Sequence, residues 1–229
     1  MSADLSPAFV LHARRYGESH LLLDMLTLSQ GRLPVMARGA GSARSIRRAL
    51  LQPFIPLLAS WAGRGSIANL RQVEARGHYR LPRGMALYSG FYVNELILRL
   101  LETHEPVPEL FSIYENCVEQ LSRGSEIDAS LRRFELAMLR ILGYGVELSH
   151  EADHGRPVQP DLFYTYESEL GIRCAAGNEA NAVQGSTLLA LAGDLPMDDR
   201  QRQEAKHLMR RIIGYYLGDR PLRSRELFR

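Results

Sequence analysis

The sequence predicts an α+β protein in which a small five-stranded β-barrel of the OB type precedes an α-helical domain. Over roughly the first 75 residues, apolar side chains alternate with a period of 2, and glycine-rich turns separate the runs. From about residue 84 the apolar period changes to 3.6, which is typical of amphipathic helices. We therefore predict an OB-fold domain over residues 1–80 and a helical domain over residues 81–229, with an irregular insertion at about residues 143–185.

The N-terminal part contains five runs with the alternation and the turn signals of short strands, at residues 8–14, 20–28, 32–37, 54–61 and 67–75. Pro34, Pro53 and Pro56 lie in or beside these runs and cannot donate a ladder hydrogen bond, so we expect edges or bulges there. Five strands in so short a chain cannot cover both faces of an open sheet. Closure into a barrel solves the burial problem and the edge problem together.

The C-terminal part contains five runs with helical spacing, at residues 87–102, 110–121, 128–142, 186–191 and 198–217. The first run is apolar almost all round, which is typical of a central, buried helix. Asp128 is the predicted N-cap of the third helix and Gly143 its C-terminal stop. A strand-like pair at residues 162–166 and 171–175 lies within the irregular insertion.

Composition indicates a globular cytoplasmic protein. Hydrophobic residues make up 45% of the chain and charged residues 24%, so extended disorder is not expected. No apolar run approaches the roughly 20 residues that span a bilayer, and the N-terminus lacks the pattern of a signal peptide. The two cysteines, Cys117 and Cys174, fit a reducing compartment, and we expect Cys117 to be a buried apolar side chain.

The net charge of +2 hides an uneven distribution. Residues 1–80 contain 11 basic and 4 acidic side chains (+7), whereas the remainder contains 17 and 22 (−5). No carboxylate lies between Asp24 and Glu74. The segment between the third and fourth predicted strands contains Arg38, Arg44, Arg47 and Arg48. This asymmetry favours a polyanion-binding module attached to an interaction domain, and a basic surface without a partner is the alternative.

The arginines of this segment have the chemistry of phosphate contacts. An arginine can bind a phosphate through two N–H groups and can stack on a base, and Gly39 and Gly41 would let the backbone approach a phosphate closely. Tyr16 and Trp61 could stack on bases, but aromatic residues do not alternate densely with the basic ones, and Trp61 is expected in the core or at its rim. We therefore expect phosphate-dominated binding with weak sequence preference, with a solvated flexible loop as the alternative.

The usual signatures of an enzyme are missing from the sequence. The chain has no Walker-type Gly-Lys-Ser/Thr sequence and no Gly-x-Ser-x-Gly elbow, and Gly39-Ala40-Gly41 lacks the third glycine of a dinucleotide fingerprint. Glu18 and Asp24 are too few carboxylates for a two-metal nuclease site. The one candidate metal cluster, whose members fit a solvated loop better, is His150, Asp153, His154 and Cys174. We predict no catalytic residue, no cofactor and no metal.

A second candidate surface lies on the third predicted helix, where Arg132 and Arg133 stand beside the apolar stripe. A groove with apolar walls and a cationic rim suits a peptide that ends in hydrophobic residues and a free carboxylate, or an acidic tail. Two ordinary surface arginines are the alternative. The C-terminal arginines that could supplement either surface, or lie in a solvated tail, are Arg220, Arg223, Arg225 and Arg229.

Taken in order along the whole chain, these motifs resemble the RecO family of bacterial recombination mediators and DNA-repair proteins. Along the predicted barrel the matching residues are Ala8–His12, Glu18-Ser19, Leu22–Asp24, Gly31-Arg32, Ala37–Ala40, Leu51–Leu58 and Gly63–Gly65. In the helical part they are Leu87–Gly90, Tyr92, Asn94–Leu96, Leu131–Ala137, Leu142–Val146 and Ser224–Phe228. The order and spacing of these motifs together carry the resemblance.

The resemblance implies an OB-fold that binds single- and double-stranded DNA, annealing of complementary strands, and help with RecA loading together with RecR. It also implies docking of the C-terminal tail of the single-stranded DNA-binding protein, contact with RecF, and a place at the nucleoid. The implied DNA contacts are Arg38, Arg44, Arg47 and Arg48, and we also predict DNA contacts at Arg14, Arg15 and Arg64. The implied tail contacts are Arg132, Arg133, Tyr88, Leu110 and Phe111.

The chain departs from the family in one respect. Many members have a four-cysteine zinc knuckle between helices, but residues 149–175 contain only Cys174, so we predict no zinc here. We expect Phe163, Tyr164 and Tyr166 to hold this segment by packing. Two other hypotheses stay open: an adaptor for protein–protein contact whose DNA affinity is incidental, and an enzyme that acts on nucleic acid.

Overall fold

The computed structural model describes residues 5–42, 45–63, 65–176, 179, 181–219 and 221–228, with Ile46 described by its backbone alone. The chain forms two compact units, one of Met1–Ile127 with Leu222–Arg229 and one of Asp128–Pro221. The predicted domain boundary at residue 80 stays a prediction, because a division into compact units does not test a boundary that was drawn from sequence periodicity. In the described part of the chain, no helix is long and apolar enough to cross a membrane.

The first unit contains a closed barrel with the strand order β1-β2-β3-β5-β4, which confirms the predicted five-stranded OB-type fold. Its strands are β1 (Ser6–Tyr16), β2 (His20–Thr27), β3 (Gly31–Ala37), β4 (Leu57–Ala62) and β5 (Ala68–Ala75). β4 begins three residues later than predicted because Phe54 has a left-handed φ of 71° and the proline at position 56 follows it. A short helix that the sequence analysis did not predict, α1 (Ile46–Leu50), connects β3 to β4.

The period of 2 explains which strand faces fill the barrel. Leu21, Leu23 and Met25 of β2 point into the core together with Leu33 and Val35 of β3. The residues between them therefore point to the outer face of the barrel. Pairing between β3 and β5 is parallel and short, and Pro34 lies just before it, where β3 is paired with β2 alone among the described strands.

Two helices complete the packing of the first unit, α2 (Met85–Leu100) and α3 (Pro108–Arg123). β1 has a bulge between Val10 and His12, and the carbonyl of Leu11 in that bulge accepts a hydrogen bond of 2.8 Å from Nδ2 of Asn94. The Tyr114 hydroxyl donates to Oδ1 of Asn94 at 2.8 Å. These buried bonds fix both helices against the barrel. Without them, the buried polar groups would lose their hydrogen bonds to water and gain none from the protein. Cys117 is buried in α3, as predicted.

The second unit combines three helices, which are α4 (Ile127–Ile141, starting one residue before the unit), α5 (Gly185–Ala192) and α6 (Asp199–Leu217), with a small sheet. Asp128 lies in the first turn of α4 and is not its N-cap, because α4 begins one residue earlier. The expected strand pair is present as β6 (Phe163–Glu167) and β7 (Gly171–Cys174), and a two-residue strand, β8 (Val183–Gln184), adds to β6. Tyr164 is fully buried, whereas Phe163 is 43% exposed, so the packing role expected of Phe163 is wrong.

Candidate nucleic-acid interface

The strand register brings the ends of four strands together on the outer face of the barrel. Tyr16 at the end of β1 pairs with His20 at the start of β2, and Arg14 pairs with Leu22. Leu22 in turn pairs with Met36 near the end of β3, and Met36 pairs with Asn69 of β5. Side chains from β1, β2, β3 and β5 therefore form neighbouring rows at one end of the barrel.

Six described arginines lie at this end of the barrel, which we call the basic end: Arg14, Arg15, Arg38, Arg47, Arg48 and Arg71. Arg48 is half-buried and the other five are exposed. Two of the predicted DNA contacts, Arg44 and Arg64, lie outside the described residues.

Helix α1 joins the basic end through hydrogen bonds from its arginine side chains to backbone carbonyls. Nη2 of Arg47 donates to the carbonyl of Arg71 at 3.2 Å, and Nη1 of Arg48 donates to the carbonyl of Gly41 at 3.1 Å. Each guanidinium keeps further donors for another acceptor, because arginine carries five N–H groups. The helix thus holds two arginines beside β5 and beside the segment that leaves β3.

The arginines of the basic end form no ion pair among the described residues, although Glu18 is exposed in the β1–β2 turn at the same end of the barrel. Among the residues that the structure describes, no carboxylate lies within ion-pair distance of these six arginines. Asp24 instead lies 4.0 Å from His12 and from Arg32, and Glu74 lines a shallow surface cavity with Arg47 without pairing to it. The basic end therefore keeps a positive field that attracts polyanions.

The two glycines after β3 have different roles. Gly39 has a φ of +71°, and its N–H donates to Nδ1 of His20 at 3.3 Å. Gly41 packs against the β1–β2 turn: its N–H donates to the carbonyl of Ser19 at 2.9 Å, and a Cβ on it would lie 2.7 Å from that carbonyl carbon. The small size of Gly41 thus serves this close backbone contact, a structural role that the sequence analysis did not predict.

Arg71 is the member of the basic end that the sequence analysis missed. Its position on β5 follows from alternation, because Ala68 and Leu70 are buried and Arg71 is exposed. Its proximity to the end of β3 depends on the parallel pairing of Met36 with Asn69, which no local pattern in the sequence indicates.

The two aromatic residues singled out from the sequence differ in exposure. Tyr16 is 56% exposed at the end of β1. Trp61 is half-buried against the barrel core, and its Nε1 donates to Oε1 of Gln30 at 3.1 Å. Trp61 is thus a rim residue of the core, as predicted.

Arg132 occupies an unusual position in the second unit, because it is only 8% exposed. Its Nη2 donates to Oε1 of Glu135, one helical turn along α4, at 2.9 Å. Its Nε and Nη1 have no hydrogen-bond partner within the described chain. The residue lines a cavity of about 60 Å³ whose apolar walls include Leu191, Leu195 and Met197.

Arg133 has a different environment. It is half-exposed, and its Nε lies 3.1 Å from Oδ1 of Asp194. It lines a separate groove of about 610 Å³ with apolar residues such as Leu136 and Val146. Neither Arg132 nor Arg133 is therefore a simple solvated surface arginine.

The other three predicted tail contacts lie in the first unit, whereas Arg132 and Arg133 lie in the second. Leu110 and Phe111 are fully buried in α3, where the ring of Phe111 lies 5.6 Å from that of Phe9. The Tyr88 ring makes an edge contact with Phe228 at 6.0 Å. A common role for the five residues stays a prediction.

The candidate metal residues do not form a site in the described part of the chain. No three histidine, cysteine, aspartate or glutamate side chains converge there in a way that could hold a metal ion. Nδ1 of His150 lies near Glu147 and Ser149 instead. Of the C-terminal arginines, Arg223 and Arg225 lie in a 3₁₀ helix (Arg223–Phe228), and Arg220 and Arg229 fall outside the described residues.

Two family models match successive parts of the chain. The N-terminal model described as Recombination protein O N terminal matches residues 1–79, and the model described as Recombination protein O C terminal matches residues 83–226. These matches define a recombination protein made of two family segments.

Individual relatives agree over the full length. The DNA repair protein RecO of Methylococcus capsulatus is 49% identical over 98% of this chain and 93% of its own length. The DNA repair protein RecO of Haemophilus influenzae is 42% identical over 100% of this chain and 97% of its own, and that of Vibrio cholerae is 41% identical over 100% and 95%. The chain belongs to the RecO family, which confirms the expected class of DNA repair and recombination protein.

Proposed function

We propose that the protein is a recombination mediator that binds single- and double-stranded DNA at the basic end and promotes annealing of complementary strands. With RecR, and in contact with RecF, it assists RecA loading onto strands coated by single-stranded DNA-binding protein, at the nucleoid in the cytoplasm. The observation that carries the DNA-binding part is the group of exposed arginines at one end of the barrel without carboxylate partners among the described residues. The named protein partners rest on membership of the family alone.

The physical basis is electrostatic. Double-stranded DNA carries one charge per roughly 1.7 Å, and arginines that neutralise its phosphates release condensed counterions. Two strands bound beside the same positive field repel each other less, so annealing is faster without any covalent chemistry. Among the described residues, no other part of the barrel has as many exposed arginines as the basic end.

The test is the dependence of DNA affinity on salt in the full-length protein. Replacing Arg38, Arg44, Arg47 and Arg48 by glutamine should reduce the slope of log K against log salt for duplex DNA by roughly 3.6, since each phosphate contact contributes about 0.9. A matched control replaces four exposed arginines outside the barrel: Arg83, Arg156, Arg200 and Arg210. An equal slope in the first variant and the unmodified protein would remove α1 and its flanking segment from the DNA site.

The second part of the proposal concerns the C-terminal tail of the single-stranded DNA-binding protein. Arg132 supports it, because a buried guanidinium with two donors lacking partners beside apolar walls has the chemistry to bind a hydrophobic residue with a free carboxylate. We expect the paired substitution Arg132→Met with Glu135→Leu, which leaves neither buried charge without its partner, to abolish binding of an acidic tail peptide that ends in a hydrophobic residue, in fluorescence anisotropy. Lys206→Ala, an exposed cation of the same unit, is the control.

The same cavity favours the adaptor hypothesis as a second candidate function. In that case substituting Arg132 and Arg133 together abolishes repair activity in cells while DNA affinity survives, and the arginines of the basic end are dispensable. Retained repair in the variant that lacks Arg132 and Arg133 would contradict the adaptor hypothesis. Metal-dependent cleavage of a labelled oligonucleotide would instead favour an enzyme.

A further inference from the structure

Tyr16 and His20 occupy directly opposite positions on the outer face of the basic end. Tyr16 and His20 are direct partners across the β1–β2 pair, and directly opposite residues on antiparallel strands have Cβ atoms about 4.5–5.5 Å apart on the same face. Leu21 and Leu23 are buried in the barrel core, so the alternation of β2 places His20 on the outer face. The two rings therefore share one exposed surface with Arg14 and Arg38.

The two rings differ in their contacts. Nδ1 of His20 accepts a hydrogen bond from the Gly39 N–H at 3.3 Å, which fixes the imidazole beside the segment that leaves β3. Tyr16 is 56% exposed, and within the described residues its ring has neither a hydrogen-bond partner nor a ring partner. The His20 ring, which is fixed by a hydrogen bond, and the Tyr16 ring, which is exposed, thus lie beside arginines that have no carboxylate partner.

We propose that Tyr16 and His20 form a base-stacking shelf that makes the basic end bind unpaired strands more tightly than duplex. The proposal rests on the DNA binding proposed above. An exposed ring can stack on a base only where that base is not already stacked in a duplex, whereas arginines bind phosphates in either form. The shelf therefore adds affinity for single strands alone, and the arginines add affinity for both forms.

This division of roles has a consequence for annealing. The substrate of annealing is two single strands and its product is a duplex, so a protein that bound both through phosphates alone would stay on the product. The shelf contributes to substrate binding and loses its contact when the bases pair. The same surface can therefore gather strands and release the duplex.

The experiment measures affinity of the full-length protein for three labelled probes of equal length: oligodeoxythymidine, an abasic strand with the same phosphates but no bases, and a duplex. Tyr16→Leu should weaken binding to oligodeoxythymidine by roughly 5- to 150-fold, the usual effect of losing one stacked base. Binding to the abasic strand and to the duplex should change by less than about twofold, because their contacts are electrostatic. Tyr16→Phe keeps the ring and should keep the affinity, which also shows that position 16 tolerates substitution.

Tyr215→Leu is the matched control, since Tyr215 is 50% exposed but lies in the second unit, and it should change none of the three affinities. Equal losses of Tyr16→Leu on the base-bearing and abasic strands, or no loss on either, would overturn the shelf. These outcomes are distinct from failure of the proposed function, which would appear as an unchanged salt slope in the variant that lacks the four arginines.

Discussion

The arginines of the basic end and the arginines of the second unit have different surroundings. At the basic end, no carboxylate lies within ion-pair distance of Arg14, Arg15 or Arg38 among the described residues. In the second unit, ion pairs are the rule, and they include Arg156–Glu151, Arg173–Glu167, Arg173–Glu179, Arg200–Glu204 and Arg202–Asp199. The comparison shows that the number of arginines alone does not distinguish the two regions, whereas the presence or absence of an ion-pair partner for each arginine does.

Burial also distinguishes the ion pairs within the second unit from one another. Arg132 and Glu135 form a pair in which the glutamate is fully buried, whereas the pairs of Arg200 and Arg202 are largely exposed on the arginine side. Removing two charges from water is costly, and their attraction offsets that cost only while both partners remain. The buried pair is therefore sensitive to loss of one member, and exposed pairs are not.

The largest expected effect comes from breaking the buried pair. Glu135→Ala should lower the free energy of unfolding by about 3–5 kcal/mol, because it leaves the Arg132 guanidinium buried without its carboxylate. Urea denaturation followed by circular dichroism measures this change. Glu119→Ala, which breaks the exposed pair with Arg123, should change the unfolding free energy by less than about 1 kcal/mol.

A double variant separates charge from packing. Arg132→Met with Glu135→Leu removes both charges at similar volume and should be far less destabilising than Glu135→Ala alone. If the double variant were as unstable as the single one, lost packing and not an orphaned charge would explain the effect.

The contrast between the two regions could be predicted from the sequence only in part. Charge counting identified the basic N-terminal segment, and the period of 2 identified the barrel, because both properties are local. Arg71 was missed since its closeness to β3 depends on a parallel pairing between strands distant in sequence. Burial of Arg132 was missed for the same reason, because the cavity walls Leu191 and Met197 come from a much later part of the chain.

Short elements also escaped prediction. Helix α1 has five residues and β8 has two, so neither is long enough to establish a hydrophobic period. Gly39 and Gly41 were expected to let the backbone approach a phosphate, and no local pattern showed that Gly41 contacts the β1–β2 turn. Close backbone contacts of this kind depend on tertiary structure and leave no pattern of their own.

Glu95 is a carboxylate of the first unit whose hydrogen-bond donors are backbone amides and not an arginine of the basic end. Its oxygens accept from the N–H groups of Arg223 and Ser224 at 2.9 and 2.8 Å. Burial alone would raise the pKa of Glu95, but the hydrogen bonds from Ser224 and Arg223, together with nearby Arg99, lower it below its usual 4.5. The contact is therefore fully formed above pH 4.5 and is lost as the pH falls through the lowered pKa.

Amide hydrogen exchange measured by NMR tests this pH dependence. Protection of the Arg223 and Ser224 amides should decrease as the pH falls below about 4.5. Glu95→Gln keeps an acceptor without the charge, so its protection should be weaker at neutral pH and should not change across this range. Protection in the unmodified protein that is constant down to pH 3 would contradict the role of the carboxylate.

The smallest expected effect on stability comes from the basic end itself. Arg14, Arg15 and Arg38 are exposed and have neither an ion pair nor a hydrogen bond within the described residues, so replacing all three by glutamine removes no folded-state contact. We expect the free energy of unfolding in urea to change by less than about 0.5 kcal/mol at physiological salt. At low salt it should rise slightly, because like charges that repel one another in the folded barrel are gone. DNA affinity should fall in the same protein. A loss of several kcal/mol of stability in this variant would show that these arginines support the fold, and the contrast with the paired arginines of the second unit would disappear.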